Sequence, residues 1–151
     1  KFDPKGNLQE WWTPEDVKRF NAYTDKVVAQ YGAYEPLAGT KVNGKLTLGE
    51  NMADLAGVNV ALDAYHLSLR GKPAPVIDGY TGDQRFFLGF GQVWRSKYRD
   101  ASLLQRLTSD PHTPGNYRAY VVRNLDAWYN AFGVKPGEKY YLAPADRVKV
   151  W

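Results

Sequence analysis

Cysteine is absent from this 151-residue chain, which excludes disulfides and thiolate metal sites and leaves the cellular compartment open. Histidine is nearly absent: His66 and His112 are the two in the sequence. A bound metal would therefore rest on these imidazoles and on Asp and Glu side chains. Long apolar runs are missing as well. None approaches the roughly 18 residues of a membrane span, and no signal-peptide pattern is visible. The chain opens at KFDPKGNLQEWW without an initiator Met, so a piece of a longer protein is expected.

Charge of one sign is not concentrated anywhere. The net charge is +4 and the isoelectric point about 9.2, but VKRF, RGK, RSKYR and RVKV are scattered and acids sit among them. A nucleic-acid surface needs a basic stripe or cluster, so nucleic acid is not an expected partner. What the chain has in quantity is apolar and aromatic side chains, 44% and 15%. The first marks a folded globular chain. The second exceeds what a helical core needs, and points to a core shared with further sequence or to an aromatic-lined cleft.

Helical periodicity organises most of the chain. Thr13 suits an N-cap, Pro14 the first helical position and Asp16 the third position of a capping box. Trp12 and Val17 have the spacing of a hydrophobic staple, and Val17, Phe20, Thr24, Val27 and Tyr31 form one stripe predicted to be buried. Asn43-Gly44 reads as a tight turn with a short hairpin. A second helix is predicted over Leu48–Leu69, followed by the loop GKPAPVIDGYTG. A third, DQRFFLGFGQVWRSKYRDASLLQRL, is apolar over a wide arc and therefore central. After the Pro-marked turn TSDPHTPGN, a fourth helix, YRAYVVRNLDAWYNAF, stops at Gly133. The tail GVKPGEKYYLAPADRVKVW is irregular. No repeat or dividing linker interrupts residues 1–151, so the prediction is one mainly α unit with about four main helices.

Two stretches carry chemistry. In TLGENMADLAG the second helix, projected at 3.6 residues per turn, shows Met52, Leu55, Asn59, Leu62, His66 and Leu69 on one stripe. Glu50, Asp54, Gly57, Ala61, Ala64 and Ser68 make another, almost without bulk, where a neighbour can approach closely. Thr47 and Glu50 have capping-box spacing, and on residues alone capping is the plainer reading of Glu50. Asp54 lies a turn too deep to cap anything. A buried carboxylate costs several kcal/mol unless a cation, a metal or hydrogen-bond donors answer it. In DPHTPGNYR, Thr113 is a predicted N-cap with Pro114 at the first helical position. His112 reads equally as a loop histidine bonded to backbone or as a functional group. Arg118 shares a face with Val121, Leu125, Trp128 and Phe132, and its plain reading is a structural ion pair with one of the acids above. His66, on an apolar stripe, reads as a satisfied core histidine and is left out of any site.

Taken in order, FDPKGNLQEWW, VNGKLTLGENMADLAG, QRFFLGFGQVWRSKYR, DPHTPGNYR and the terminal VKVW resemble the neprilysin family of zinc metallopeptidases, which includes the endothelin-converting enzymes and many bacterial endopeptidases. The resemblance runs the length of the chain and corresponds to the C-terminal part of such an enzyme. It implies the C-terminal helical part of a thermolysin-like, gluzincin catalytic domain. By it, Glu50 falls on the third zinc ligand, and Asp54 on the acid that supports a zinc-bound histidine. His112 falls on the residue that stabilises the oxyanion of the tetrahedral intermediate, and Arg118 on the one that binds the substrate backbone. Val93 and Trp94, in QVW, match positions lining the pocket for the side chain after the scissile bond. The residue types suit that chemistry: an anionic oxygen and two imidazoles hold zinc with one position left for water, and cationic donors stabilise developing negative charge.

The sequence also departs from the family pattern. The HExxH helix, with two zinc ligands and the general base, is not in these residues and is expected upstream of Lys1, as is the substrate-aligning strand. The cysteines that flank VW and the C-terminus in animal members are absent, which resembles bacterial members. The resulting expectation is a portion of a zinc metalloendopeptidase acting on oligopeptides, inactive alone, partnered by the remainder of the same enzyme and prone to self-association. An extracytoplasmic location, periplasmic or secreted, is expected, with the cytoplasm as the alternative. A different class, a non-catalytic helical module that binds peptides through its aromatics, is the alternative to the enzyme. A carbohydrate binder would need a row of exposed Trp residues, and their helical spacing argues for buried ones.

Overall fold

A reciprocal cap opens the first helix. Thr13 Oγ1 accepts from the Asp16 amide at 3.1 Å while an Asp16 carboxylate oxygen accepts from the Thr13 amide at 3.3 Å. With Pro14 at its first position, α1 spans Pro14–Gly32, as the sequence predicts. The computed structural model describes residues 2–149, so Val150 and Trp151 of the VKVW motif lie outside the described residues. Among these, the regular structure is helical, with three isolated β-bridges and no longer strand. This is the mainly α architecture expected.

α2 spans Leu48–Ser68, α3 Gly82–Val93, α4 Asp100–Ser109, α5 Gly115–Arg118 and α6 Asp126–Phe132; short 3₁₀ turns occupy Ala119–Asn124 and Pro144–Asp146. α1 packs on α2, and α3 on α6, with the first 3₁₀ turn wedged against α2. Val27, Tyr31, Leu55, Val58, Leu62, Phe87, Leu107, Val121, Leu125 and Val148 belong to one buried apolar cluster drawn from α1 to α4, the first 3₁₀ turn and the segments after it. Gly44 lets the chain pass against the α1 backbone, because a Cβ there would collide with the Val28 carbonyl oxygen.

Several expectations are corrected. The α1 stripe is buried only in its second half, at Thr24, Val27 and Tyr31; Val17 and Phe20 are exposed, since no described element covers the first turns. Trp12 stands edge-on to Phe20, centroids 5.0 Å apart, so the aromatic ring extends past the Val17 position of a staple. Asn43-Gly44 makes no hairpin. The Asn43 side chain accepts from the Leu46 amide and its carbonyl from the Thr47 amide, winding the chain straight into α2. His66 is not a core residue: it is largely exposed and pairs with Asp83 at 2.7 Å, joining the last turn of α2 to the first of α3. Trp11 and Trp12 are exposed too, whereas Trp94 and Trp128 are half-buried.

The predicted third and fourth helices are each broken. After Val93 the chain leaves the helix, and Arg99 is extended, separating α3 from α4. The break lets Trp94 turn onto Arg118 and Ser96 sit under Gly115, contacts a continuous helix could not make. In the fourth, the backbone is extended at Leu125. The side chain of buried Asn124 there exchanges bonds with Gln30 and accepts from the Val148 amide at 2.9 Å. This side-chain chemistry competes with helix continuation. Gly133, at φ 65°, closes α6 in the left-handed cap predicted for it.

Candidate functional site

Two consecutive turns of α2 present Glu50 and Asp54 toward the segment Asp110–Arg118. Thr47 occupies the N-cap position of α2 but makes no side-chain cap bond. Its hydroxyl instead donates to Asn43 O at 3.1 Å and accepts from Asn51 Nδ2 at 2.9 Å. The capping box read from Thr47 and Glu50 is therefore not formed. The carboxylate of Glu50, 42% exposed, lies with Oε2 3.1 Å from His112 Nε2.

His112 is held from its other side. Asp110 Oδ1 accepts from the His112 amide at 2.9 Å and meets Nδ1 at 2.8 Å, while Asp110 Oδ2 accepts from Arg106 at 2.8 Å. The bonds from His112 and the Arg106 charge hold the Asp110 carboxyl below its ordinary range. His112 thus bonds to a side chain two residues back and faces the Glu50 carboxylate on α2, which neither of its sequence readings specified.

Arg118 pairs with Asp54: Nε donates to Oδ2 and Nη2 to Oδ1, each at 2.7 Å. The two side chains are 16% and 10% exposed, so the buried acid has its cation, and the plain reading of Arg118 holds. Hydrogen bonding to Asp54 raises the guanidinium above its usual value. The Arg118 carbon lies 3.9 Å from the centroid of the Trp94 ring. From α1, the Tyr31 hydroxyl is buried with no hydrogen-bond partner among the described residues, in the field of this pair, and burial pushes it well above the usual tyrosine range.

A tether fixes the register between the two stretches. Thr113 Oγ1 donates to Asn51 Oδ1 at 2.8 Å, and both residues are almost fully buried. Thr113 is therefore a strut to α2, and Pro114 takes the N-cap place one residue later than predicted. Gly115 passes close to Trp94 O, and a Cβ there would collide with Ser96 Oγ. The result is a cleft of about 360 Å³ whose wall includes Val93, Trp94, Arg106, His112 and Arg118. Sequence reasoning missed Asn51, Asp110 and Arg106. The Asp-Pro-His order does carry an Asx-turn signal for Asp110; nothing local marks the other two.

The described residues contain no group of three or more His, Cys, Asp or Glu side chains able to hold a metal. Catalytic zinc takes three protein ligands, and the half-exposed Glu50 fits one of them.

Peptidase family M13 matches residues 1–148 of the chain. Human endothelin-converting enzyme 1 is 36% identical over 156 residues, covering 100% of the chain and 20% of that protein. Neprilysin-2 of Drosophila melanogaster is also 36% identical, with the same coverage. Among solved structures, the Mycobacterium tuberculosis zinc metalloprotease Zmp1 in complex with inhibitor superposes with a TM-score of 0.94 at 48% identity, covering 100% of this chain and 24% of that one. PepO from Lactobacillus rhamnosis superposes at 0.78 with 39% identity, covering 97% of this chain and 22% of its own. The chain thus spans about a fifth of the length of the curated relatives it matches.

Proposed function

The chain belongs to peptidase family M13, and from that premise we propose that it is the C-terminal part of the catalytic domain of a zinc metalloendopeptidase that cleaves oligopeptides. The observation that carries the reading is that Glu50 meets His112 and Asp54 pairs with Arg118, across two segments 50 and more residues apart, with His112 and Arg118 lining one cleft. The single apolar cluster from α1 to Val148 supports treating residues 1–151 as one unit.

Glu50 would supply one oxygen ligand to zinc, with the remaining ligands and the general base outside these residues. Zinc in such a site polarises the scissile carbonyl and activates water. This chain's own side chains do the rest. His112 is oriented through Nδ1 by Asp110, and with Glu50 engaged by the metal its Nε2, which here faces Glu50, would be free to meet the oxygen that gains negative charge in the tetrahedral adduct. Arg118, anchored by Asp54, has no partner for Nη1 among the described residues and can donate from that edge to a substrate carbonyl. Asp54 keeps a second acceptor site on each oxygen, so it can also steady a zinc-bound imidazole. Val93 and Trp94 form the wall facing the side chain after the scissile bond. Alone, with one carboxylate ligand, the 151-residue chain binds zinc weakly and hydrolyses nothing. No described helix is long and apolar enough to cross a membrane; an extracytoplasmic parent, as the resemblance implies, is part of the proposal.

The test is the parent polypeptide with Glu50→Gln. Wild type should hold about one zinc ion per chain and cleave oligopeptides; the variant should lose both, with partial recovery at high zinc. A variant with full zinc and unchanged kcat removes Glu50 from the metal. A parent that binds peptides without zinc or cleavage is instead a binding module.

A further inference from the structure

The guanidinium of Arg118 is fixed on two sides. One edge is committed to Asp54 through Nε and Nη2. One face lies on the Trp94 ring, 3.9 Å from its centroid. A bidentate pair alone permits the arginine plane to rock about the axis joining it to the carboxylate. A ring against the face removes that freedom and excludes water from the same side.

Beyond Arg118, the Trp94 side chain makes no polar contact among the described residues. Its indole Nε1 is buried without a hydrogen-bond partner among the described residues. The contacts that locate the ring are packing ones, with Phe90 edge-on at 6.3 Å and Arg118 beneath it. The backbone agrees with this reading. α3 ends at Val93 and the chain turns at Trp94, while Gly115 allows the Arg118-bearing segment to close against the Trp94 carbonyl. A tryptophan serving only as an apolar wall would not need its ring centred on a cation.

We propose that Trp94 is a positioning residue that acts through Arg118: its ring fixes the plane of the guanidinium so that the free Nη1 edge points at the peptide carbonyl. This rests on the peptide-binding reading of Arg118 and goes beyond Trp94 as pocket wall. The consequence is a dependence on ring face. Phe retains a face of the same kind with a weaker attraction; Leu retains bulk and loses the face.

The experiment is a double-mutant cycle in the parent polypeptide, with oligopeptide hydrolysis as the assay. Trp94→Leu should raise KM about tenfold, with a smaller fall in kcat, and Trp94→Phe about threefold. In an Arg118→Ala background, Trp94→Leu should add little. An independent readout is the Arg118 Nε–H proton resonance, which ring current should displace in wild type and in Trp94→Phe, and which should return toward the free-arginine position in Trp94→Leu. Full additivity of the two substitutions in KM would overturn the proposal and leave Trp94 as a wall. A resonance unchanged by Trp94→Leu would overturn it as well, in a protein whose fold circular dichroism shows intact. Should the parent hydrolyse no peptide, the catalytic reading fails, and the resonance test still decides whether the ring holds the arginine.

Discussion

Arg118 and Asp54 meet across α5 and α2 in a two-bonded pair, Nε and Nη2 each 2.7 Å from one carboxylate oxygen. The pair answers two separate questions at once: what neutralises a carboxylate one turn too deep to cap a helix, and what an arginine does on an otherwise apolar face. Breaking a buried pair by removing one partner leaves the other charge stranded. Each residue therefore depends on the other for its place in the fold.

His112 and Arg118 should fail differently in the parent enzyme. On the proposed roles, His112→Ala would remove a donor to the developing oxyanion and leave Glu50 to the metal, and kcat should fall about 10²–10³-fold by analogy with other oxyanion donors. By the same proposal, Arg118→Ala would remove a contact made to the bound substrate, so its larger effect should be on KM. Steady-state kinetics with zinc content measured in parallel separates the two. Loss of zinc in His112→Ala would mean that the imidazole, not only Glu50, holds the metal.

The acid side of the stability profile follows from Asp110. Its folded-state carboxyl is held below the ordinary 3.8 by bonds from His112 and by the Arg106 charge. A lowered carboxylate pKa stabilises the fold above its unfolded value, and that contribution disappears as pH falls through the folded value. Asp126, lowered by Lys149 and Arg147, behaves likewise. Urea midpoints should therefore drop from about pH 5 to pH 3, and Asp110→Asn should flatten part of that slope. An identical slope in Asp110→Asn would show that the Asp110 turn contributes nothing to folding.

Much of this was legible because it is local. The Thr13–Asp16 cap, the Gly133 stop and the extent of α2 each depend on residues within a turn of one another. The breaks at Trp94 and Leu125 are not of that kind. They are imposed by partners far along the chain: Arg118 for Trp94, and Gln30 and Val148 for Asn124. The site divides the same way. Residue types and family spacing named Glu50, Asp54, His112 and Arg118, but the capping box favoured for Thr47 and Glu50 lost to an inward relay in which Thr47 accepts from Asn51 and Asn51 accepts from Thr113. No helical period reports that an asparagine will be a strut.

Asn51 offers a stability test of that strut. Asn51→Ala strands the buried hydroxyl of Thr113, whose bond to Oδ1 at 2.8 Å is lost. Unmade bonds at buried groups cost about 1–3 kcal/mol, so the thermal midpoint should fall, and the His112 loop should exchange amide hydrogens faster than α1 does. Thr113→Val, which removes the donor from the other end, should give a smaller loss. Unaltered exchange in the loop of Asn51→Ala would mean that Asp110 alone holds His112.

The outer face of α2 gives the last prediction. Gly57, Val60, Ala61, Ala64 and Leu67 are all exposed, with Leu67 at 78% and Val60 at 58%. They share the helix that carries Glu50 and Asp54 and leave a surface low in bulk. Trp11, Trp12, Phe20 and Tyr23 add an exposed aromatic hollow of about 400 Å³ at the other end of the chain. Contiguous apolar surface beyond a few hundred Å² is rarely left in water by a soluble protein. The 151-residue chain should therefore self-associate in a concentration-dependent way and bind a dye that reports apolar surface. Light scattering on a dilution series measures the first and fluorescence the second. Placing charge on the α2 face by Val60→Glu and Leu67→Lys, which buries no new group in the monomer, should shift the equilibrium toward monomer without lowering helix content. A wild-type chain that stays monomeric at high concentration and binds no dye would show that these residues cover one another well enough to need no partner.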